Sequence, residues 1–285
     1  MDSYADDTTI TATGKTTEEI SQLLTTDCAL VSDWMRRNRL KLNPDKTHLL
    51  TVGTAEKLRH TNNLNVAMDN IMLQQDEGNC ELILGCRIQA NLKWKTQIKV
   101  LISKLKLRLA ALAKLKFVLK FPLKKIITEG IFNSVMVYCL PLFGGMDIGD
   151  LKDLQVMQNR AAQIVTNSPP RAQRSPIYDH LQWLTVNQLI FYHSVITIFK
   201  IRKSGDPEHL AGIFCQDSRN RRILIPNWNL SLGQKSFRIR GAENWNMLQL
   251  DVRAQTKIGN FKKQAKKWIF MSNTVGLQGA WPRMP

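Results

Sequence analysis

The chain has 285 residues, with 40 Lys and Arg against 23 Asp and Glu, and a formal net charge of +17. A hydrophobic content of 44% is that of a folded chain of one or two domains, which excludes wholesale disorder. Five cysteines without a Cys-x-x-Cys pair argue against a disulfide framework and a zinc ribbon. The first residues are acidic, unlike those of a signal peptide. The sequence has no run of about 18 apolar residues, which is what predicts a transmembrane helix. We therefore expect an intracellular protein that binds a polyanion, in the nucleus or the cytoplasm.

The positive charge is concentrated in the middle of the chain. Residues 1–80 carry 8 basic and 12 acidic side chains, residues 81–128 carry 12 and 1, and residues 129–285 carry 20 and 10. An acidic front before a basic middle is typical of a carboxylate metal site beside an element that binds phosphates. The alternative is that the lysines only solubilise a helix face, although such faces normally mix both signs.

The first third of the chain predicts short strands around one long helix. Tyr4-Ala5-Asp6-Asp7 reads as a hairpin turn and Thr8–Ala12 as its return strand, with too few residues before Tyr4 for a partner strand. Thr16 and Glu19 form a capping-box pair that starts a helix ending near Asn38, with Ile20, Leu23, Leu24, Val31, Trp34 and Met35 on one face. Further predictions are a strand over residues 47–52, a loop with one short hairpin over 53–80, and a strand over 81–88 that bends at Gly85.

The rest of the chain predicts helices. The longest covers residues 92–119, with Trp94, Ile98, Leu101, Ile102, Leu105, Leu109 and Leu112 on its apolar stripe. Others are expected from Pro122 to about residue 140, over 151–165 after a cap at Asp147 or Asp150, and over 177–184, 186–203 and 256–270. In the last helix Lys262, Lys263, Lys266 and Lys267 are expected to face outward. Residues 221–241 are predicted to form two short strands.

We therefore predict an α+β chain in which a strand-containing region precedes a mostly helical one. The expected domains are residues 1–90, a basic helical region over 91–166, a Pro-rich linker over 167–176, and a helical region with short strands over 177–285.

The adjacent carboxylates of Asp6 and Asp7 on a tight turn suit Mg²⁺, which prefers oxygen ligands. Polymerases use such carboxylates to hold two ions, one at the attacking 3′-hydroxyl and one at the leaving pyrophosphate. Asp is also an ordinary turn residue, so the tetrapeptide alone leaves both interpretations open.

Several motifs follow this turn in a recognisable order. Tyr4-Ala5-Asp6-Asp7-Thr8 is followed by Trp34 and Asn38 and then by Leu40-Lys41-Leu42-Asn43-Pro44-Asp45-Lys46-Thr47. Leu84-Gly85-Cys86-Arg87-Ile88 precedes Leu92-Lys93-Trp94, and Leu154-Gln155 precedes Gln158-Asn159-Arg160-Ala161-Ala162. Asn244-Trp245-Asn246, Leu248 and Phe261-Lys262 come last. In this order the chain resembles the reverse transcriptase of non-LTR (LINE-type, jockey-like) retrotransposons, from its YADD palm motif onward and over nearly its whole length.

The resemblance implies roles for the palm residues. Asp6 would be the metal-binding carboxylate, Asp7 would support it, and Tyr4 would pack beneath the nascent base pair. Lys46 would lie near the departing pyrophosphate as a general acid, although a solvated turn lysine is the alternative. Leu84 and Gly85 would form the turn that supports the primer terminus, with a plain strand kink as the alternative for Gly85.

The basic helix would be the thumb. Residues 93–125 carry 11 Lys and Arg and no acidic residue, which suits the phosphate backbone of an RNA template and its RNA/DNA duplex, read by shape. The implied contacts include Lys95, Lys99, Lys104, Lys106, Arg108 and Lys114. Trp94, on the apolar stripe, is expected in the core.

The chain departs from the family in what precedes the turn. In the family, a second metal-binding Asp and the fingers lie upstream of YADD, so we expect an N-terminally truncated polymerase that is inactive alone, with Mg²⁺ weakly held. A second polypeptide could supply the fingers and early palm, and no membrane partner is expected. The alternatives are a non-enzymatic nucleic-acid-binding remnant and a non-functional transposon relic.

Overall fold

The computed structural model describes residues 2–5, 7–41, 43, 46–59, 64–69, 71–73, 80–214, 216–217, 220–225, 227 and 231–272. These residues form an α+β structure with four separate antiparallel hairpins among many helices, as predicted. The chain divides into two compact units, Met1–Lys93 and Trp94–Pro285. Residues 167–176, interpreted from the sequence as a linker, lie inside the second unit, and the last three belong to a helix.

The first unit contains one long helix and three of the hairpins. Its elements are β1 (Asp2–Tyr4), β2 (Asp7–Thr9), α1 (Thr17–Arg37), α2 (Ala55–Leu58), β3 (Ala67–Met68), β4 (Ile71–Met72), β5 (Cys80–Ile83) and β6 (Cys86–Gln89). The β1–β2, β3–β4 and β5–β6 strands pair with each other. A small core joins Leu24 and Cys28 of α1 to Leu49, Val66 and Met68.

The helix α1 confirms the predicted boundaries. Thr16 is its N-cap and accepts from the Glu19 backbone N–H at 3.2 Å, and Asn38 is its C-cap. The Glu19 carboxylate accepts from the backbone N–H of Lys15 at 2.8 Å. In the predicted capping box it would accept from the backbone N–H of Thr16, one residue later. Trp34 was expected on the buried face, but 58% of it is exposed.

Three strand predictions in this unit are wrong. Residues 2–4 do form a partner strand for the first hairpin. Residues 47–52 form no strand, with only an isolated bridge at Leu49. The stretch 81–88 is not one strand but a hairpin, because Leu84 (φ 47°) and Gly85 (φ 77°) both take left-handed backbone angles and reverse the chain.

The second unit is mostly helical. Its helices are α3 (Lys95–Lys114), α4 (Phe121–Thr128), α5 (Ser134–Met136), α6 (Ile148–Thr166), α7 (Arg174–Leu181), α8 (Val186–Ser204), α9 (Glu208–Ile213), α10 (Ser231–Gln234), α11 (Phe237–Met247), α12 (Leu250–Arg253) and α13 (Ile258–Met271). A π-helical turn, Glu129–Asn133, joins α4 to α5, and a 3-10 turn, Leu142–Gly145, precedes α6. The only strands among its described residues are β7 (Gln216–Asp217) and β8 (Arg222–Ile223).

The main core surrounds α8. Phe199 of α8 stacks on Phe261 of α13 with ring centroids 4.3 Å apart, and Trp245 of α11 stacks on the same ring at 5.7 Å. The span Arg174–Ser204 is long and apolar enough to cross a membrane by length and composition alone, and 61% of its most apolar 18-residue window is buried inside the protein.

The helix predictions here are largely confirmed. The α3 stripe is buried at Ile98, Leu101, Leu105, Leu109 and Leu112, whereas Trp94 is half-buried and packs on Phe143 with ring centroids 5.1 Å apart. Asp147 is the N-cap residue of α6. Two expectations fail: residues 221–241 contain one strand, β8, followed by α10 and the start of α11, rather than two strands paired with each other, and Lys266 is half-buried rather than outward-facing.

Candidate nucleic-acid interface

The YADD segment forms a tight hairpin turn. Tyr4 pairs with Asp7 across the ladder, and Ala5 takes a left-handed φ of 53° between them. The Tyr4 and Asp7 side chains are exposed. Asp6, the main predicted metal ligand, lies outside the described residues.

The described residues do not by themselves make a Mg²⁺ site. Asp7 contributes one exposed carboxylate, and no group of three or more His, Cys, Asp or Glu within the described parts of the chain is placed to hold a metal ion. Mg²⁺ is normally bound through carboxylates arranged in octahedral geometry together with substrate phosphates. No metal-dependent step is therefore derived from this turn.

Lys46 lies at an exposed turn. Its backbone N–H donates to the Asn43 carbonyl at 3.2 Å, and the Thr47 hydroxyl donates to the same carbonyl at 3.0 Å. Leu42, Pro44 and Asp45 of this motif lie outside the described residues. The turn presents the Lys46 amine to solvent, and its role near pyrophosphate stays a prediction.

Leu84 and Gly85 form the two-residue turn of the β5–β6 hairpin. Leu84 is 45% exposed at the tip of the hairpin. This geometry matches a projecting turn, while support of a primer terminus remains a prediction.

The cations of α3 lie on the surface. Lys95, Lys99, Lys104, Lys106 and Lys114 are exposed and Arg108 is half-buried. None of them forms an ion pair with a described residue. Because the apolar stripe holds α3 against the core, six positive charges are displayed on one rigid helix.

The two ends of α3 differ in electrostatic environment. Burial and Asp147 raise the pKa of Asp150 on α6, while the charges of Lys95 and Lys99 lower it. Lys95 and Lys99 therefore lie near an acidic group. The Asp150 carboxylate therefore offsets part of the positive charge at the N-terminal end of α3.

A groove of about 470 Å³ runs between α3 and α6. Lys106, Lys116 and Arg160 line it together with apolar side chains such as Leu109 and Ile164. Lys116 and Arg160 were not among the contacts predicted from the sequence. The signal was present in the Gln158-Asn159-Arg160 motif, whose helix packs along α3.

The rest of that motif is structural. The Tyr178 hydroxyl accepts a hydrogen bond from Gln155 Nε2 at 2.7 Å. It donates to Asn159 Oδ1 at 2.8 Å and to Gln158 Oε1 at 3.1 Å. Gln158 Nε2 also donates to the Leu184 carbonyl at 2.8 Å. This network fixes α6 to α7 and the start of α8, and so orients Arg160 on the opposite side.

One cation of the basic segment does not face solvent. Lys124 is 3% exposed, and its Nζ donates to the Asn167 side chain at 2.8 Å and to the Lys116 carbonyl at 3.0 Å. Burial and the charge of Lys116 lower the pKa of Lys124. Lys124 therefore ties the turn after α3 to the C-terminus of α6 and does not serve as a phosphate contact.

The chain shows no significant match to a protein-family model, to a curated protein or to a solved structure.

Proposed function

We propose that this chain binds a nucleic-acid duplex through α3 and the adjoining groove, as the late palm, thumb and C-terminal region of a non-LTR retrotransposon reverse transcriptase. The observation that carries the proposal is the set of exposed lysines and the half-buried Arg108 on α3, none of which forms an ion pair with a described residue. The order of the YADD, Asn-Pro-Asp-Lys, Leu-Gly and Gln-Asn-Arg motifs supports the family.

The ligand that fits this surface is an RNA template paired with a DNA primer. Lysines on a straight helix contact phosphates without reading base edges, and each neutralised phosphate releases counterions. An RNA-containing duplex is recognised through its backbone and shape, which such a surface can follow. The groove beside Lys106 and Arg160 extends the same positive surface onto α6.

Nucleotide addition would require more than this chain's described carboxylates. A pair of Mg²⁺ ions needs ligands from more than one element, whereas the YADD turn supplies Asp6 and Asp7 only. We propose that fingers and a first palm Asp of the kind the family has complete the active site. Lys46, Leu84 and Gly85 would then act at the pyrophosphate and the primer terminus, as the family resemblance implies.

Fluorescence anisotropy with a labelled RNA/DNA hybrid tests the binding proposal. The variant K104Q/K106Q/R108Q/K114Q is expected to bind roughly 100-fold more weakly at low salt, because about four phosphate contacts are lost. The matched control K257Q/K262Q/K263Q/K267Q removes the same charge from exposed residues at and near α13 and should bind like the wild type. Equal losses in both variants would show that only net charge matters and would contradict the proposal.

A non-enzymatic nucleic-acid-binding protein is the second candidate. One observation favours it: α3 belongs to the unit Trp94–Pro285, which does not include the YADD turn, so binding needs no metal chemistry. Primer extension on an RNA template separates the candidates. Extension that depends on an added fingers polypeptide and is lost in Asp6→Ala supports the polymerase, and duplex binding without extension supports the binding protein.

A further inference from the structure

Four arginines converge beside Trp245 in the second unit. The Arg202 guanidinium carbon lies 4.5 Å from the Trp245 ring centroid, and the Trp245 indole N–H donates to the Arg221 carbonyl at 2.9 Å. Arg221 Nη1 donates in turn to the carbonyl of Ala254 at 3.4 Å, and Ala254 directly follows Arg253. Arg222 is the first residue of β8. These contacts bring residues from α8, β8 and α12 to one place.

The β8 strand is held there by a side chain of the Asn-Trp-Asn motif. Asn246 accepts from the Ile223 backbone N–H and donates to the Ile223 carbonyl, each at 2.8 Å. This two-point contact adds to the pairing of β8 with β7. It fixes Arg221 and Arg222 relative to α11, so the cluster is a built feature of the fold.

Three guanidinium nitrogens in this cluster are buried without an acceptor. They are Nε and Nη1 of Arg253, which is 7% exposed, and Nη1 of Arg202. Buried polar groups are nearly always hydrogen-bonded, and buried charges are normally paired. No ion pair joins any of the four arginines to a described residue. The site therefore has donors and positive charge in excess.

The charges in the cluster act on one another. Burial together with Arg221 and Arg253 lowers the pKa of Arg202 to about 10, and burial together with Arg222 lowers the pKa of Arg253. An anion among these side chains would relieve the repulsion and satisfy the open donors. Arg221 and Arg222 are exposed, so the cluster reaches solvent on the β8 side.

We infer that Arg202, Arg221, Arg222 and Arg253 form a binding site for a phosphate group, with Arg253 at its floor. The planar guanidinium fork matches the oxygens of a phosphate and can donate two parallel hydrogen bonds. The Trp245 ring, 4.5 Å from the Arg202 guanidinium carbon, helps to hold that group in place. The phosphate could be free or part of a nucleic-acid backbone, and the inference does not depend on the proposed function of α3.

Calorimetric titration of the full chain with inorganic phosphate, at ionic strength held constant with chloride, tests the site. We expect saturable binding that Arg253→Gln and Arg222→Gln each weaken at least about tenfold, since a charge-assisted hydrogen bond is lost. Arg171→Gln, on the exposed loop after α6, is the charge-matched control and should bind phosphate like the wild type. No saturable binding by the wild type, or an equal loss in Arg171→Gln, would overturn the inference.

Thermal melting separates an anion site from a structural role of Arg253. If Arg253 is part of an anion site, Arg253→Gln removes a buried charge that has no partner in the absence of phosphate. The melting temperature of the variant without phosphate should then equal or exceed that of the wild type. Phosphate should then raise the melting temperature of the wild type only. A melting temperature of Arg253→Gln that lies below that of the wild type by the same amount with and without phosphate would overturn the inference. If Arg253→Gln does not fold, the exposed Arg222→Gln carries the test.

Two further arms identify the natural occupant. Competition between phosphate and a short RNA, lost in Arg222→Gln, would support a backbone phosphate, and phosphate binding that RNA does not displace would support a free one.

Asp217 pairs with Arg222 across the hairpin, and its side chain lies outside the described atoms. Unchanged or tighter phosphate binding in Asp217→Asn supports the site, whereas binding seen only in that variant would show that the native carboxylate fills it.

Discussion

The basic surface of α3 and the arginine cluster at Trp245 carry the same sign of charge but differ in burial. The α3 lysines are exposed and contact solvent, whereas Arg253 is 7% exposed and keeps two nitrogens without an acceptor. Exposed charges act weakly and together over an extended polyanion, while buried donors act strongly on a single group. The comparison teaches that net charge alone does not indicate how a basic region works.

The largest expected effect comes from releasing β8 from α11, a change that should affect the arginine cluster but not the α3 surface. Asn246→Ala removes both hydrogen bonds to Ile223 and should lower the free energy of unfolding by about 2–3 kcal/mol. It should also abolish phosphate binding at the arginine cluster while leaving duplex binding by α3 intact. Urea unfolding and the two binding assays measure this, with Asn244→Ala as the control. Loss of duplex binding in Asn246→Ala, under conditions where the protein is folded, would show that the two regions are not independent.

The next effect concerns the support of α6 behind the groove. Tyr178→Phe removes the hydroxyl shared by Gln155, Gln158 and Asn159 and leaves their amides buried, so we expect a loss of about 1–2 kcal/mol in urea unfolding. Tyr192→Phe makes the same chemical change on α8 and should cost less than about 0.5 kcal/mol. Equal losses in the two variants would argue against a stabilising role for the Tyr178 network.

A third prediction divides the α3 surface itself. K104Q/R108Q should weaken hybrid binding roughly tenfold, since two phosphate contacts are lost, and K95Q/K99Q by less than about threefold, because Asp150 already offsets those charges. Both variants remove two positive charges, so each controls for the other in the same anisotropy titration. The reverse order would place the duplex at the N-terminal end of α3.

The smallest expected effect is a pH dependence on α8. Burial, Lys262 and Lys200 lower the pKa of His193, so the unfolded chain binds a proton at a higher pH than the folded one. Stability that is present above the ordinary histidine pKa should therefore be lost as the pH falls through the lowered folded value. Urea unfolding at about pH 7.5 and about pH 5.5 should show a loss in the wild type that His193→Gln reduces, by less than about 1 kcal/mol. An identical pH dependence in both would show that His193 is not the group responsible.

The sequence predicted those parts of the fold that depend on local periodicity. The α3 stripe and the boundaries of α1 follow from apolar spacing and from Thr16 as N-cap, and both are confirmed. Residues 81–88 read as one strand because Leu84 is an apolar residue that rarely takes a left-handed φ, and only the structure shows the reversal there. Residues 221–241 alternate like strands, but packing of Trp245 and Ile239 in the core makes α11 a helix.

The candidate sites divide in the same way. The α3 cations lie on one element, so their shared surface could be predicted from spacing. Arg202, Arg222 and Arg253 are far apart in the sequence, and no local pattern predicts that they meet. Lys124 looked like one more surface lysine, and only its contacts to Asn167 and Lys116 show it to be buried.

The salt dependence of hybrid binding tests the central claim, that α3 side chains contact phosphates directly. The logarithm of the association constant should fall linearly with the logarithm of the salt concentration for the wild type. In K104Q/K106Q/R108Q/K114Q the slope should be shallower by about 3–4, since each lost contact releases fewer counterions. Parallel lines for the two proteins would mean that α3 does not contact the backbone and would contradict the account.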